Sequence, residues 1–165
     1  MSYLIIGNIV ALIGSILMVW SGYLKEKRKI LYIQTVQIGM FVISNIILGG
    51  ISGAIINFIS FIRNILSYKD KLDMKWKILI TILSIGLTLY FNNKGLIGYL
   101  PLISMIIYVW YMNVKDVVNF KYLLIFTMLM WLVYDFYVMS YTSSCFDIVC
   151  IILNIVSIVE IKKNS

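Results

Sequence analysis

FVISNIILGGISGAIIN (residues 41–57) and WLVYDFYVMSYTSSCFD (residues 131–147) lie 90 residues apart and align without a gap. Phe41 falls on Trp131, Asn45 on Asp135, Ser52 on Thr142 and Asn57 on Asp147. Working outward at the same offset, Trp20 falls on Trp110, Tyr32 on Tyr122 and Asn64 on Asn154. Polar residues are scarce in runs this apolar, so their agreement marks an internal duplication. A repeated set of membrane helices with matched polar points is the pattern of transporter-like folds.

Composition sets the class. Of the 165 residues 62% are hydrophobic and 13% charged, and the mean hydropathy is +0.98. A soluble domain needs more charge to cover its surface, so the sequence reads as an integral membrane protein. Its N-terminus has no basic segment before Tyr3 and no small-residue cleavage site, unlike a signal peptide. Cys145 and Cys150 are spaced for neither a metal nor a disulfide within one helix and read as small buried hydrophobes. Without histidine the chain lacks the commonest general base and metal ligand, and the sequence implies no cofactor.

The fold expected is all-α, with seven transmembrane helices in a three-one-three plan. Tyr3 to Tyr23 forms the first span, closed by the basic run from Lys25 to Lys29. Residues 30–68 run apolar except at Gly49-Gly50-Ile51-Ser52. As one helix they would reach about 58 Å, twice the ~30 Å hydrocarbon thickness, so they divide into two helices at that turn. A fourth helix covers about 76–92, ended by Asn92-Asn93-Lys94-Gly95. A fifth covers about 96–113, with Pro101 near its start. The sixth covers about 120–139 and turns through Ser140–Ser144 into a seventh ending near Ile161. Residues 1–68 thus form the first three-helix repeat, 69–93 a charged loop and linker helix, and 94–165 the second repeat with its basic tail.

Twelve of the 14 basic residues fall in loops on one side if the N-terminus is outside. The positive-inside rule then places the C-terminus in the cytoplasm. The net charge of +7 is therefore a topology signal and a contact with the cytoplasmic leaflet, not a nucleic-acid patch. The fourth helix restores the chain direction, so the triplets are parallel repeats about an axis along the membrane normal. A monomer of seven helices suffices to enclose a site, and a homo-oligomer is compatible with the same plan.

Polar residues inside spans cost about 2.5–3.5 kcal/mol when charged and central, so they mark candidate function. Asn57 and Asn64 share one face of the third helix, and Asp147 and Asn154 repeat it on the seventh. With Trp131 and Phe41 they are the candidate solute-binding residues of a central chamber. Asn45, Asp135 and Arg63 are candidate gate or coupling residues. Asn45 and Asp135 also suit caps or helix packing. A buried Asp147 can protonate, bind a cation or pair with Arg63. Arg63 is expected instead to extend to the cytoplasmic surface, about five residues away. Gln34 and Gln37 read as inner-interface residues.

Trp131-Leu-Val-Tyr-Asp135-Phe136 with Ser140, Asp147 and Asn154 resembles the second half of the YgjV-like bacterial inner-membrane proteins. Ser52-Gly-Ala-Ile-Ile-Asn57 with Arg63 is similar to that family's first half. More distantly, the three-one-three plan resembles the SWEET and PQ-loop superfamily and the PnuC-type vitamin transporters. That resemblance implies that Asn57, Asp147 and Trp131 face a solute. The chain has no Pro-Gln motif, and Pro101 is its single proline.

The function expected is a small-solute transporter or facilitator in the bacterial inner membrane, passive or ion-coupled, since no ATPase motif is present. The alternative is a non-transporting receptor or assembly partner of the same fold. An enzyme is the weakest reading, because no nucleophile–base pair or metal cluster can be assembled. The partners expected are the lipid bilayer and a small solute, with no nucleic acid.

Overall fold

A computed structural model describes residues 2–23, 27–112 and 116–163. The expected contributions of Lys25 and Lys115 to the cytoplasmic loops lie outside these residues. The described residues form seven α-helices: α1 (Ser2–Tyr23), α2 (Lys27–Ile47), α3 (Ile51–Tyr68), α4 (Met74–Phe91), α5 (Leu100–Tyr111), α6 (Val117–Tyr137) and α7 (Tyr141–Lys163). A short 3-10 helix, Gly95–Tyr99, leads into α5, where the expected fifth helix would have run unbroken. Ser140–Ser144 is not a turn: α7 already begins at Tyr141.

Five helices are long and apolar enough to cross a membrane, in α1, α3, α4, α6 and α7; Leu31–Ile47 and Gly95–Tyr111 are shorter apolar helices. Polarity is distributed as a bilayer requires. Ile5, Ile9, Ile16, Leu89, Ile152 and Val159 are exposed on the outer surface, whereas Ser15, Ser44, Ser52, Asn64, Ser84 and Thr88 are buried. A soluble protein has the opposite arrangement. Cys150 is buried, but Cys145 is exposed on the apolar exterior, contrary to its expected burial; both are free thiols.

The helices close a ring. α1 packs on α2 and α7, α2 on α3, α3 on α5, α5 on α6, and α6 on α7. α4 packs on α3 and α5 alone among the principal contacts, so it buttresses the ring from one side. That seam holds the apolar core, with Ile56 and Ile59 of α3, Ile80 of α4, and Leu102, Met105 and Val109 of α5.

The turns joining α2 to α3 and α6 to α7 are the same structure twice. Gly50 N–H donates to Asn45 O and Ser140 N–H to Asp135 O, each at 2.8 Å. Leu48 N–H to Ser44 O (2.9 Å) is matched by Val138 N–H to Tyr134 O (3.0 Å). Both are helix-stop motifs in which the residue past the helix adopts the left-handed conformation. Gly49 takes it at φ 71°, and Met139, at the matched position, at φ 60°. Each turn is also held from a neighbouring segment. Asn93 Nδ2 donates to Gly49 O at 3.1 Å, and Asn8 Nδ2 to Met139 O at 3.2 Å.

At the other end Arg28 pairs with Asp70 at 3.1 Å, joining the start of α2 to the α3–α4 loop. Lys162 Nζ lies 3.2 Å from Tyr122 Oη, joining the end of α7 to the start of α6. Asp73 and Asp116 cap α4 and α6 by accepting the N–H groups of Trp76 and Asn119.

Candidate functional site: a polar chamber inside the helix ring

α2 turns one stripe inward: Gln34, Gln37, Ile38, Phe41 and Asn45, a spacing that keeps side chains on a single helix face. α6 turns in Thr127, Met128, Trp131 and Asp135, which are the α2 positions from Gln37 to Asn45 advanced by 90. The two stripes line one chamber of about 120 Å³ with Asn57, Ser60 and Arg63 of α3 and Asp147 of α7. Met18 of α1 and Ser104, Met105 and Tyr108 of α5 complete it. Six pairs at the repeat offset therefore meet in one space: Met18 with Tyr108, Gln37 with Thr127, Ile38 with Met128, Phe41 with Trp131, Asn45 with Asp135, and Asn57 with Asp147.

Seven of the nine candidate residues line this chamber: Phe41, Asn45, Asn57, Arg63, Trp131, Asp135 and Asp147. Asn64 and Asn154 do not. Asn64 is fully buried, and its Oδ1 accepts two hydrogen bonds from Arg63, from Nε at 3.1 Å and Nη2 at 2.9 Å. Asn154 Nδ2 donates to Cys150 O of its own helix at 2.8 Å. Both share the helix face of their partners two turns away. Arg63, which lines the chamber, and not Asn64, presents the polar group there, with Asn64 behind it as its acceptor.

Arg63 does not reach the cytoplasmic surface. It is 5% exposed, with its guanidinium carbon 4.3 Å from the centre of the Tyr108 ring. The planar cation stacks on the aromatic face while its edge engages Asn64, an arrangement a guanidinium suits better than an ammonium. Among the described residues Arg63 makes no ion pair, so it does not neutralise Asp147. Asn45 and Asp135 are not N-caps. They lie in the last turns of α2 and α6 and face inward, with Asn45 Nδ2 donating to Phe41 O at 3.1 Å.

Several polar groups at this site have no hydrogen-bond partner among the described residues: Gln37 Oε1, Asn45 Oδ1, Asp135 Oδ1 and Asp147 Oδ2. Buried polar atoms are normally paired, so the concentration of exceptions on one chamber marks it off from the rest of the interior. Beside it the fully buried Tyr134 stacks edge-on to Trp131, with ring centroids 5.8 Å apart.

The chamber residues missed from sequence are Gln34, Gln37, Ile38, Ser60, Ser104, Tyr108, Thr127 and the methionines Met18, Met105 and Met128. Gln34 and Gln37 lie close to the inner interface in sequence, which by itself decides nothing about their role. The signal for Gln37 and Thr127 was available: both sit four residues before the Ile38-to-Phe41 and Met128-to-Trp131 stripes close, at the repeat offset.

Residues 5–165 match the family model Imp-YgjV, described as a bacterial inner membrane protein. No curated protein and no solved structure matches the chain. The family match spans nearly the whole ring, both turns and every residue of the chamber, and with it the chain belongs to the Imp-YgjV family of bacterial inner membrane proteins.

Proposed function

We propose that this protein is a small-solute transporter or facilitator whose site is the chamber between two parallel three-helix repeats. One observation carries the reading: six residue pairs at the 90-residue offset line a single space inside the ring, with the polar pairs set among apolar and aromatic ones. A structural role for buried polar residues predicts scattered helix-to-helix bonds, each satisfied locally. Convergence of both repeats on unsatisfied groups is what a solute site requires. The resemblance to the SWEET, PQ-loop and PnuC plan belongs to the same proposal, as does a non-enzymatic role.

In this reading all seven helices span the bilayer, residues 1–68 and 94–165 form the repeats, and 69–93 the linker, with α4 restoring chain direction. The N-terminus is outside and the C-terminus cytoplasmic. The bonds joining Arg28 to Asp70 and Lys162 to Tyr122 support this, because they put basic residues from both repeats at the ends where the loops meet. One copy holds the whole chamber, so transport needs no second subunit.

The test is flux. Purified protein is reconstituted in proteoliposomes and screened for saturable uptake against protein-free vesicles. Candidate solutes come from a thermal-shift panel, since a selective ligand stabilises the form that binds it. Saturable uptake lost on Asn57→Leu supports the proposal. Ligand binding or a stable protein complex with no flux favours the non-transporting receptor.

A further inference from the structure

Four fully enclosed oxygens of the chamber have no hydrogen-bond partner among the described residues. Gln37 Oε1, Asn45 Oδ1, Asp135 Oδ1 and Asp147 Oδ2 are acceptors, on side chains at least nine-tenths buried. The orientation of the Asn45 amide is fixed by its neighbour: Nδ2 donates to Phe41 O, and flipping it would set oxygen against oxygen. Two of the four belong to carboxyl groups. The chamber's own cation, Arg63, is committed to Asn64 Oδ1 and to the Tyr108 ring. It satisfies neither aspartate.

A molecule that satisfies these four oxygens brings N–H or O–H donors, and the two acidic groups favour positive charge over negative. Phe41 and Trp131, at matched positions on α2 and α6, add aromatic surface, which also favours a cation. Size narrows the class further. A cavity of about 150 Å³ accepts benzene, six heavy atoms, so this chamber of about 120 Å³ accommodates a charged group of roughly that size. Resting on the transport reading above, we infer that the chamber takes a small organic cation rich in N–H groups, of the ammonium or guanidinium class, held by Asp135 and Asp147. A carboxylate, phosphate or sulfate solute would face the two acidic groups, Asp135 and Asp147.

The repeat itself supplies the variants. Asn occupies the positions matched to Asp135 and Asp147, at Asn45 and Asn57. The fold thus already holds an amide in each equivalent setting, and Asp135→Asn and Asp147→Asn remove charge with little change in shape. The probes are guanidinium chloride, urea as its neutral shape-mimic, tetramethylammonium chloride as a cation without N–H groups, and sodium chloride at equal ionic strength.

Melting of the purified protein is measured against each probe at millimolar concentration, followed by proteoliposome uptake of guanidinium. The expected result is stabilisation by guanidinium beyond that of the other three. Half-saturation should weaken by about tenfold or more in either Asn variant, the loss that accompanies one charged hydrogen bond. Asp70→Asn, on the exposed ion pair with Arg28, should leave it unchanged. Equal stabilisation by urea, tetramethylammonium or sodium overturns the assignment, and so does a guanidinium effect that persists in both Asn variants. Saturable uptake of a neutral or anionic solute, insensitive to guanidinium, overturns the cation class and leaves the transport reading standing. Aspartate-dependent guanidinium binding without flux does the reverse.

Discussion

The phenolic oxygen of Tyr134 on α6 accepts the backbone N–H of Gly53 in the first turn of α3 at 2.8 Å. It lies 3.2 Å from Ser52 Oγ as well. The first N–H groups of a helix have no partner within it, and here a side chain from α6 supplies one. This bond ties the halves together beside Asp135, the next residue along α6. Tyr134→Phe keeps the ring against Trp131 and leaves the Gly53 N–H buried without its acceptor, at a cost of about 1–3 kcal/mol. Thermal melts of the detergent-purified variant should show a lower midpoint; an unchanged midpoint means that water replaces the hydroxyl.

Gly53 is needed for that approach. A Cβ there would stand 2.5 Å from Tyr134 Cε1 and 2.8 Å from its hydroxyl oxygen, closer than atoms tolerate. Gly53→Ala should therefore destabilise by about 1–3 kcal/mol through overpacking, despite the better helix propensity of alanine. Combining it with Tyr134→Ala should recover part of that loss, a coupling that a double-mutant cycle of melting midpoints reads directly.

Met139 holds the conformation that Gly49 holds in the matching turn, without the freedom of a glycine. Met139→Gly relieves that strain while keeping the backbone carbonyl that receives Asn8 Nδ2. The side chain is exposed, so little packing is lost. A gain of about 0.5–1 kcal/mol is expected, seen as a raised melting midpoint. A fall would show that the Met139 side chain contributes more outside the turn than the strain costs.

Arg63→Lys should act as a disruptive change. An ammonium cannot give two parallel bonds to Asn64 Oδ1 while lying flat on Tyr108, and its charge stays buried. A loss of about 3 kcal/mol or more is expected for breaking a buried charged network. Arg63→Leu paired with Asn64→Leu removes both partners and should be better tolerated than Arg63→Lys, by comparison of folded yield and melting.

Asn57 and Asn154 should separate function from structure. Asn57 lines the chamber, whereas Asn154 bonds only along its own helix. If the transport proposal holds, Asn57→Leu lowers uptake at least about tenfold by placing an apolar group where a polar contact is made. Asn154→Leu leaves uptake within about twofold, since a bond within one helix is replaceable there. Equal losses in both variants would dissociate uptake from the chamber.

Much of this architecture follows from the amino-acid order, and the failures have a common cause. Apolar run lengths, the Gly49-Gly50 break and the 90-residue offset are local or periodic features, and they place the helices to within a few residues. They also bring seven of nine candidates to one chamber, because a helix face is set by spacing. The errors concern depth and long side chains. Asn64 and Asn154 share the correct face but do not line the chamber: Asn64 is taken up by Arg63, which itself stacks on Tyr108, and Asn154 by Cys150 O. The contact of Arg63 with Tyr108 joins α3 to α5 and has no local signature. Gln34 and Gln37 sit close to the basic start of α2, a position that by itself decides nothing about their role. Neither apolar periodicity nor charge says how far a chamber extends along a helix axis.

The left–right difference inside this ring carries its own consequence. Two identical chains joined about a twofold axis must show the same group on both walls, so their site is blind to which way round an asymmetric guest enters. Here one wall offers the amides of Asn45 and Asn57 and the other the carboxyls of Asp135 and Asp147, while Arg63 is matched by Leu153. The two walls of the chamber therefore differ in charge, and the space between them is polarised from one side to the other. If the transport proposal holds, a guest with a charged end and a neutral end has a preferred heading in it, which two identical walls could not impose.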